Sequence, residues 1–101
     1  MTGFTVSRQA DFDTRQIFDM IYHTAGSAAR DRLIASFEEV YRSIHDFPGL
    51  GAPRPEYGPD TRVRHVRPYV ILYDDVEDND EVTILRVLHG SRKITPDLVR
   101  R

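Results

Sequence analysis

From Val82 to Leu88 the chain is almost continuously apolar, with Val82, Ile84, Leu85, Val87 and Leu88 broken only by Thr83 and Arg86. A strand with one wet face alternates apolar and polar positions, whereas a strand covered on both faces reads as a run. The stretch therefore predicts the central strand of a sheet. Gly90 lets the chain leave that sheet, and His89, Arg92 and Lys93 gather at the exit. On the residues alone, Arg86 reads as a paired or snorkelling sheet residue and His89 as a hydrogen-bonded strand end. The same grouping also reads as a site at a strand terminus.

The N-terminal half has a different period. Phe4-Thr5-Val6 predicts a short strand, and Ser7 an N-cap whose hydroxyl takes a free N–H of the first helical turn. Ala10, Thr14, Ile17 and Ile21, flanked by Phe18 and Ala25, recur at helical spacing up to about Thr24. Phe12 falls nearly opposite this stripe. Ala25-Gly26-Ser27 supplies a helix stop and a new cap in succession, so the next helix has to fold back antiparallel. That second helix carries Ala29, Leu33, Phe37, Val40 and Ile44 on one face, with Ile34 and Tyr41 widening the apolar surface to one side. The widened flank either touches the first helix or lines a groove for an apolar segment of another chain.

Phe47 to Asp60 holds four prolines and three glycines, which predicts an ordered connector with no regular element, packed through Leu50 and Tyr57. Thr61 to Val66 and Tyr69 to Tyr73 read as strands with Pro68 at the corner between them, because proline cannot donate to a ladder. The predicted order is β-α-α-β-β-β. It describes an α+β fold in which a helical hairpin packs on one largely antiparallel sheet, as a single domain over residues 1–101.

Charge refines this picture. The net charge of -2 hides a polarised final third: Arg62, Arg64 and Arg67 come first, then Asp74, Asp75, Glu77, Asp78, Asp80 and Glu81, then Arg86, Arg92, Lys93, Arg100 and Arg101 against Asp97. The acidic stretch reads as a solvated hairpin tip that discourages edge pairing. A pI near 6.0 argues against strong nonspecific nucleic-acid binding. With no cysteine there is neither a disulfide framework nor a thiolate metal site, and a reducing cytoplasm is the expected setting. No apolar run reaches membrane-spanning length, and Met1 to Val6 lacks the pattern of a signal peptide. His23, His45, His65 and His89 show no close ligand spacing, and no glycine-rich phosphate loop precedes a helix. Neither metal nor cofactor is implied.

Several segments together resemble the RelE/ParE toxin superfamily of bacterial type II toxin–antitoxin modules. They are Ser7 with Ala10, the stretch Phe47-Pro48-Gly49-Leu50-Gly51-Ala52-Pro53-Arg54-Pro55-Glu56, the strand Arg67 to Tyr73, and above all Ile84-Leu85-Arg86-Val87-Leu88-His89-Gly90-Ser91-Arg92. Arginine and histidine in an apolar strand followed by Gly-x-Arg are closest to the ParE-like branch. That resemblance implies a cytoplasmic toxin that poisons DNA gyrase without bond-making chemistry. It also implies neutralisation by a small cognate antitoxin, ParD-like or of another family, in a hetero-oligomer. No sequence-specific DNA binding by this chain and no membrane association are implied.

Fold does not choose the target within the superfamily. The RelE-like branch cleaves messenger RNA on the ribosome, using an arginine just after the start of the strand that here begins at Tyr69; this chain has Val70 there. Valine neither stabilises a developing phosphorane nor carries a proton. Lys93 is the sole lysine, although Arg62, Arg86, His89, Arg92 and Glu56 as a base leave a divergent nuclease open. A non-toxic interaction domain that keeps the fold is a further alternative. The expected target or antitoxin contacts are Arg62, His89, Arg92, Lys93, Phe12, Ile34 and Tyr41. Arg86 is expected to be structural and paired with Glu56 or an acid of the 74–81 loop.

Overall fold

The computed structural model describes residues 3–100. Strand β1 (Gly3–Val6) leads into helix α1 (Arg8–Asp46); a 3-10 turn (Pro48–Leu50) and the two-residue β2 (Ala52–Pro53) follow. Then come β3 (Thr61–Val66), β4 (Tyr69–Val76), a second 3-10 turn (Glu77–Asn79), β5 (Glu81–His89) and a short α2 (Pro96–Arg100). The sheet order is β1-β5-β4-β3-β2, with β1 parallel to β5 and every other pairing antiparallel. β5 is thus an interior strand, but the middle of the sheet is β4, not β5 as the apolar run predicts. Two elements also go beyond the predicted order. Ala52 and Pro53 pair with β3 as an edge strand, where a missing N–H is tolerated, and α2 closes the chain.

Ser7 caps α1 as expected: its Oγ accepts the Ala10 N–H at 3.0 Å and donates to the Leu85 carbonyl at 2.8 Å, which ties the helix start to β5. The helix then breaks at Gly26, whose φ of 89° favours glycine. A straight helix of 39 residues would span roughly 58 Å at 1.5 Å per residue, more than the 42 Å longest extent of the molecule. Phe18 and Phe37 instead meet at 5.5 Å between ring centroids, so the two arms run antiparallel as the hairpin pattern predicts. Near the turn, the Arg30 guanidinium sits 4.9 Å from the Tyr22 ring centre.

The helical hairpin covers one sheet face. Ala10, Phe37 and Ile44 pack there against Val66, Ile71, Tyr73, Val82, Ile84 and Val87. On the other face, Leu98 and Val99 of α2 cover Val63, Leu72 and Leu88. Two covered faces explain the continuous apolar reading of β5. A β-bulge at Leu85 is also needed, since the pairing passes from Leu72↔Arg86 to Tyr73↔Ile84. It places Ile84 and Val87 on the helix side although they are an odd number of residues apart. The bulge thus lies before Arg86, and past it the ladder runs on to Gly90, whose N–H donates to the Pro68 carbonyl at 2.8 Å.

The proline-rich connector is pinned from below. Tyr73 Oη accepts the Gly51 N–H at 3.0 Å and donates to the Pro48 carbonyl. Only glycine permits this approach, because a Cβ at Gly51 would stand 2.2 Å from that hydroxyl. Tyr57 joins the packing under α2, whereas Leu50 stays 68% exposed and does not anchor the connector as expected.

Candidate functional site

At the bulge, Arg86 turns out of the sheet toward the start of α1. Its Nε donates to Asp13 Oδ2 at 2.8 Å and its Nη2 to Asp13 Oδ1 at 3.0 Å, while Nη1 donates to the Leu98 carbonyl at 2.7 Å. Asp13 Oδ2 also accepts the Val87 N–H at 3.0 Å. Both side chains are buried, and this two-pronged pairing with its extra hydrogen bonds offsets their desolvation. The Asp13 hydrogen bond raises the guanidinium pKa against the opposing effect of burial. Arg86 is therefore structural in its contacts, but its partner is Asp13 and not Glu56, which is exposed, or an acid of the 74–81 loop. A signal for this partner is present in the sequence. Asp13 lies three residues after Ala10 and four before Ile17, which puts a carboxylate in the buried stripe of α1.

The other strand-end residues stand apart from Arg86. His89 Nδ1 accepts the Ser91 N–H at 3.0 Å and lies 2.7 Å from Ser91 Oγ; the ring meets Tyr69 edge-on at 5.7 Å between centroids. Accepting at Nδ1 leaves the neutral ring's proton on Nε2, which makes the exposed nitrogen a donor. The Arg92 N–H donates to the His89 carbonyl at 3.0 Å, and the Arg92 and Lys93 side chains are exposed. His89 and Arg92 border a depression of about 250 Å³ between the first arm of α1 and β5. Arg86 and Phe12 line a separate one with Arg8, Gln9 and Asp13. The three strand-end groups thus form two neighbourhoods on either side of Asp13.

The remaining expected contacts divide in the same way. Phe12 is 59% exposed and Ile34 half-buried. Tyr41 packs into the helix-side core beside Phe4 and Phe37, with ring centroids 6.0 and 6.3 Å away. Its hydroxyl is buried without a hydrogen-bond partner among the described residues, and burial, aided by Asp13 and Asp11, pushes its pKa up to about 12. Arg62 donates to the Gly49 and Gly51 carbonyls at 3.2 and 2.9 Å and faces the buried Asp75 carboxylate at 3.6 Å, so its bonds go to the connector. Burial raises the Asp75 pKa, with Glu77 adding to the effect and Arg62 opposing it. Arg100, on the same side, pairs with Asp74 at 2.7 Å. The sheet is consequently polarised along its strands. His65, Arg67, His89, Arg92 and Lys93 lie at one end, and Asp60, Asp75, Glu77 and Asp78 line a cleft at the other. Val70 is half-buried against the α2-side core. No group of three or more His, Asp or Glu side chains among the described residues is placed to hold a metal ion. No described helix is long and apolar enough to cross a membrane.

Known proteins share this plan. The chain is 25% identical over 95 residues to Toxin ParE3 of Caulobacter vibrioides, a span covering 94% of this chain and 93% of that protein. A solved structure titled "Chromosomal ParDE TA system from P. aeruginosa" superposes with a TM-score of 0.71 at 21% identity, covering 88% of this chain and 96% of that one, which establishes the fold. Residues 4–94 match the model of the family described as the ParE toxin of the type II toxin–antitoxin system parDE, and the chain belongs to that family.

Proposed function

We propose that this chain is the toxin of a type II toxin–antitoxin pair, that a cognate antitoxin neutralises it, and that it acts by binding DNA gyrase rather than by cutting RNA. The observation that carries the last part is the use to which the arginines are put. Cleavage of a phosphodiester needs cations free to meet the developing charge and a group to move a proton. Arg86 is bound to Asp13 and Arg62 to the connector carbonyls, while Val70 stands where the nuclease branch carries an arginine. His89, held as an outward N–H donor beside exposed Arg92 and Lys93, suits recognition of an anionic partner. Membership of the ParE family and the fold shared with a ParDE system support the antitoxin.

Induction of this chain in a bacterial host tests the pairing. Growth should stop, and co-expression of the small open reading frame beside its gene should restore growth and yield a complex that co-purifies. Arrest that the neighbouring product neither relieves nor binds would sink the reading.

A further inference from the structure

One stretch of β5 lacks a neighbouring strand among the described residues. β1 pairs with it only as far as Val6 against Ile84, because Ser7 then turns the chain into α1. Past the bulge, the bond from the Gly90 N–H to the Pro68 carbonyl sets the phase of the ladder. Arg86 and Leu88 bond toward β4, and Val87 and His89 turn their backbone groups to the outer edge. Two of these four groups are occupied: Asp13 takes the Val87 N–H, and the Arg92 N–H takes the His89 carbonyl. Among the described residues, the Val87 carbonyl and the His89 N–H remain without a partner. An antiparallel neighbour would bond both groups of one residue, which Asp13 prevents at Val87 and Arg92 at His89. A parallel neighbour bonds one carbonyl and the N–H two residues on, and those are the groups left open. β1 follows the same scheme, with Gly3 N–H to the Asp80 carbonyl at 2.8 Å and Ser7 N–H to the Ile84 carbonyl at 2.9 Å.

The 250 Å³ depression runs along this edge, walled by Ile17 and Met20 on the helix side and ending at His89 and Arg92. Met20 is 49% exposed, and no described residue pairs with the Arg92 side chain. We propose that an extended segment of the antitoxin docks here parallel to β5, with one residue opposite Leu88. Leu88 faces away from α1, so the residues before and after that one point into the depression. The segment therefore offers an apolar side chain to Ile17 and Met20. Running parallel, its C-terminal side reaches Arg92 and Lys93, and charge complementarity places a carboxylate there.

This inference rests on the antitoxin reading, and amide hydrogen exchange separates the two. The probe is this chain, alone and bound to the antitoxin encoded beside it. In the complex the His89 amide should exchange at least about tenfold more slowly. Met20→Glu and Arg92→Glu should each weaken the complex by about tenfold or more while leaving unfolding unchanged. A complex that forms with unaltered His89 exchange and tolerates both substitutions would overturn the docking and leave the antitoxin reading standing. Failure to form any complex would bring down both. Slowing of His89 exchange in the chain alone as its concentration rises would give the edge to a second copy and refute the assignment.

Discussion

Asp13 and Arg86, 73 residues apart in the chain, close a buried two-pronged ion pair at 2.8 and 3.0 Å that fastens the first arm of α1 to β5 just past the bulge. Removing the cation alone strands the Asp13 carboxylate in the core. Arg86→Ala should therefore cost about 3 kcal/mol in urea unfolding. Adding Asp13→Asn to Arg86→Met removes both charges and keeps an acceptor for the Val87 N–H, so this double variant should be more stable than Arg86→Ala. Near-wild-type stability of Arg86→Ala would show that the pair does not hold these elements together.

Tyr41 carries the opposite liability. Its hydroxyl is buried without a partner among the described residues, so Tyr41→Phe should gain about 1 kcal/mol at neutral pH. The folded pKa near 12 lies above the ordinary value of 10.0, so the folded state holds the proton more tightly than the unfolded chain. Stability of the native sequence should then fall relative to the Phe variant as pH rises from 10 toward 12. A constant difference across that window would mean that the hydroxyl has found a partner.

Asp75 should shape the acid side. Burial raises its folded pKa above 3.8, so its contribution is most favourable below that value and is lost as pH rises through the folded pKa. Asp75→Asn should therefore gain on the native sequence between about pH 4 and neutrality, as read from denaturant midpoints at matched ionic strength. Parallel pH profiles for the two proteins would contradict the burial argument.

Two arginines should separate structure from recognition. Arg62→Ala loses two carbonyl partners and should lower stability by about 2 kcal/mol. Arg92→Ala removes an exposed side chain, so thermal unfolding should stay the same while antitoxin affinity drops. Equal losses of melting temperature in both variants would make Arg92 a structural residue.

The fold was largely legible because its signals are local. Ser7, the Gly26 break, the two helical stripes and the β3 to β5 strands all follow from cap chemistry and periodicity. What stayed hidden depends on distant contacts. Placing β4 in the middle requires knowing that β1 adds beside β5, and β2 exists only because Ala52 and Pro53 reach β3. α2 is too short for periodicity to announce. The strand-end cations were visible, but their division was not. The partner of Arg86 comes from a helix 73 residues earlier, and the bulge at Leu85 carries no glycine or other local mark that a sequence could show.

The most direct test adds purified toxin to DNA gyrase in a supercoiling assay, with ribosomes translating a defined message in the same preparation. Binding without bond-making chemistry predicts that supercoiling is inhibited or cleaved DNA accumulates on gyrase, while the message stays intact. Message cut in the ribosomal A site with gyrase unaffected would contradict it and make this chain a nuclease.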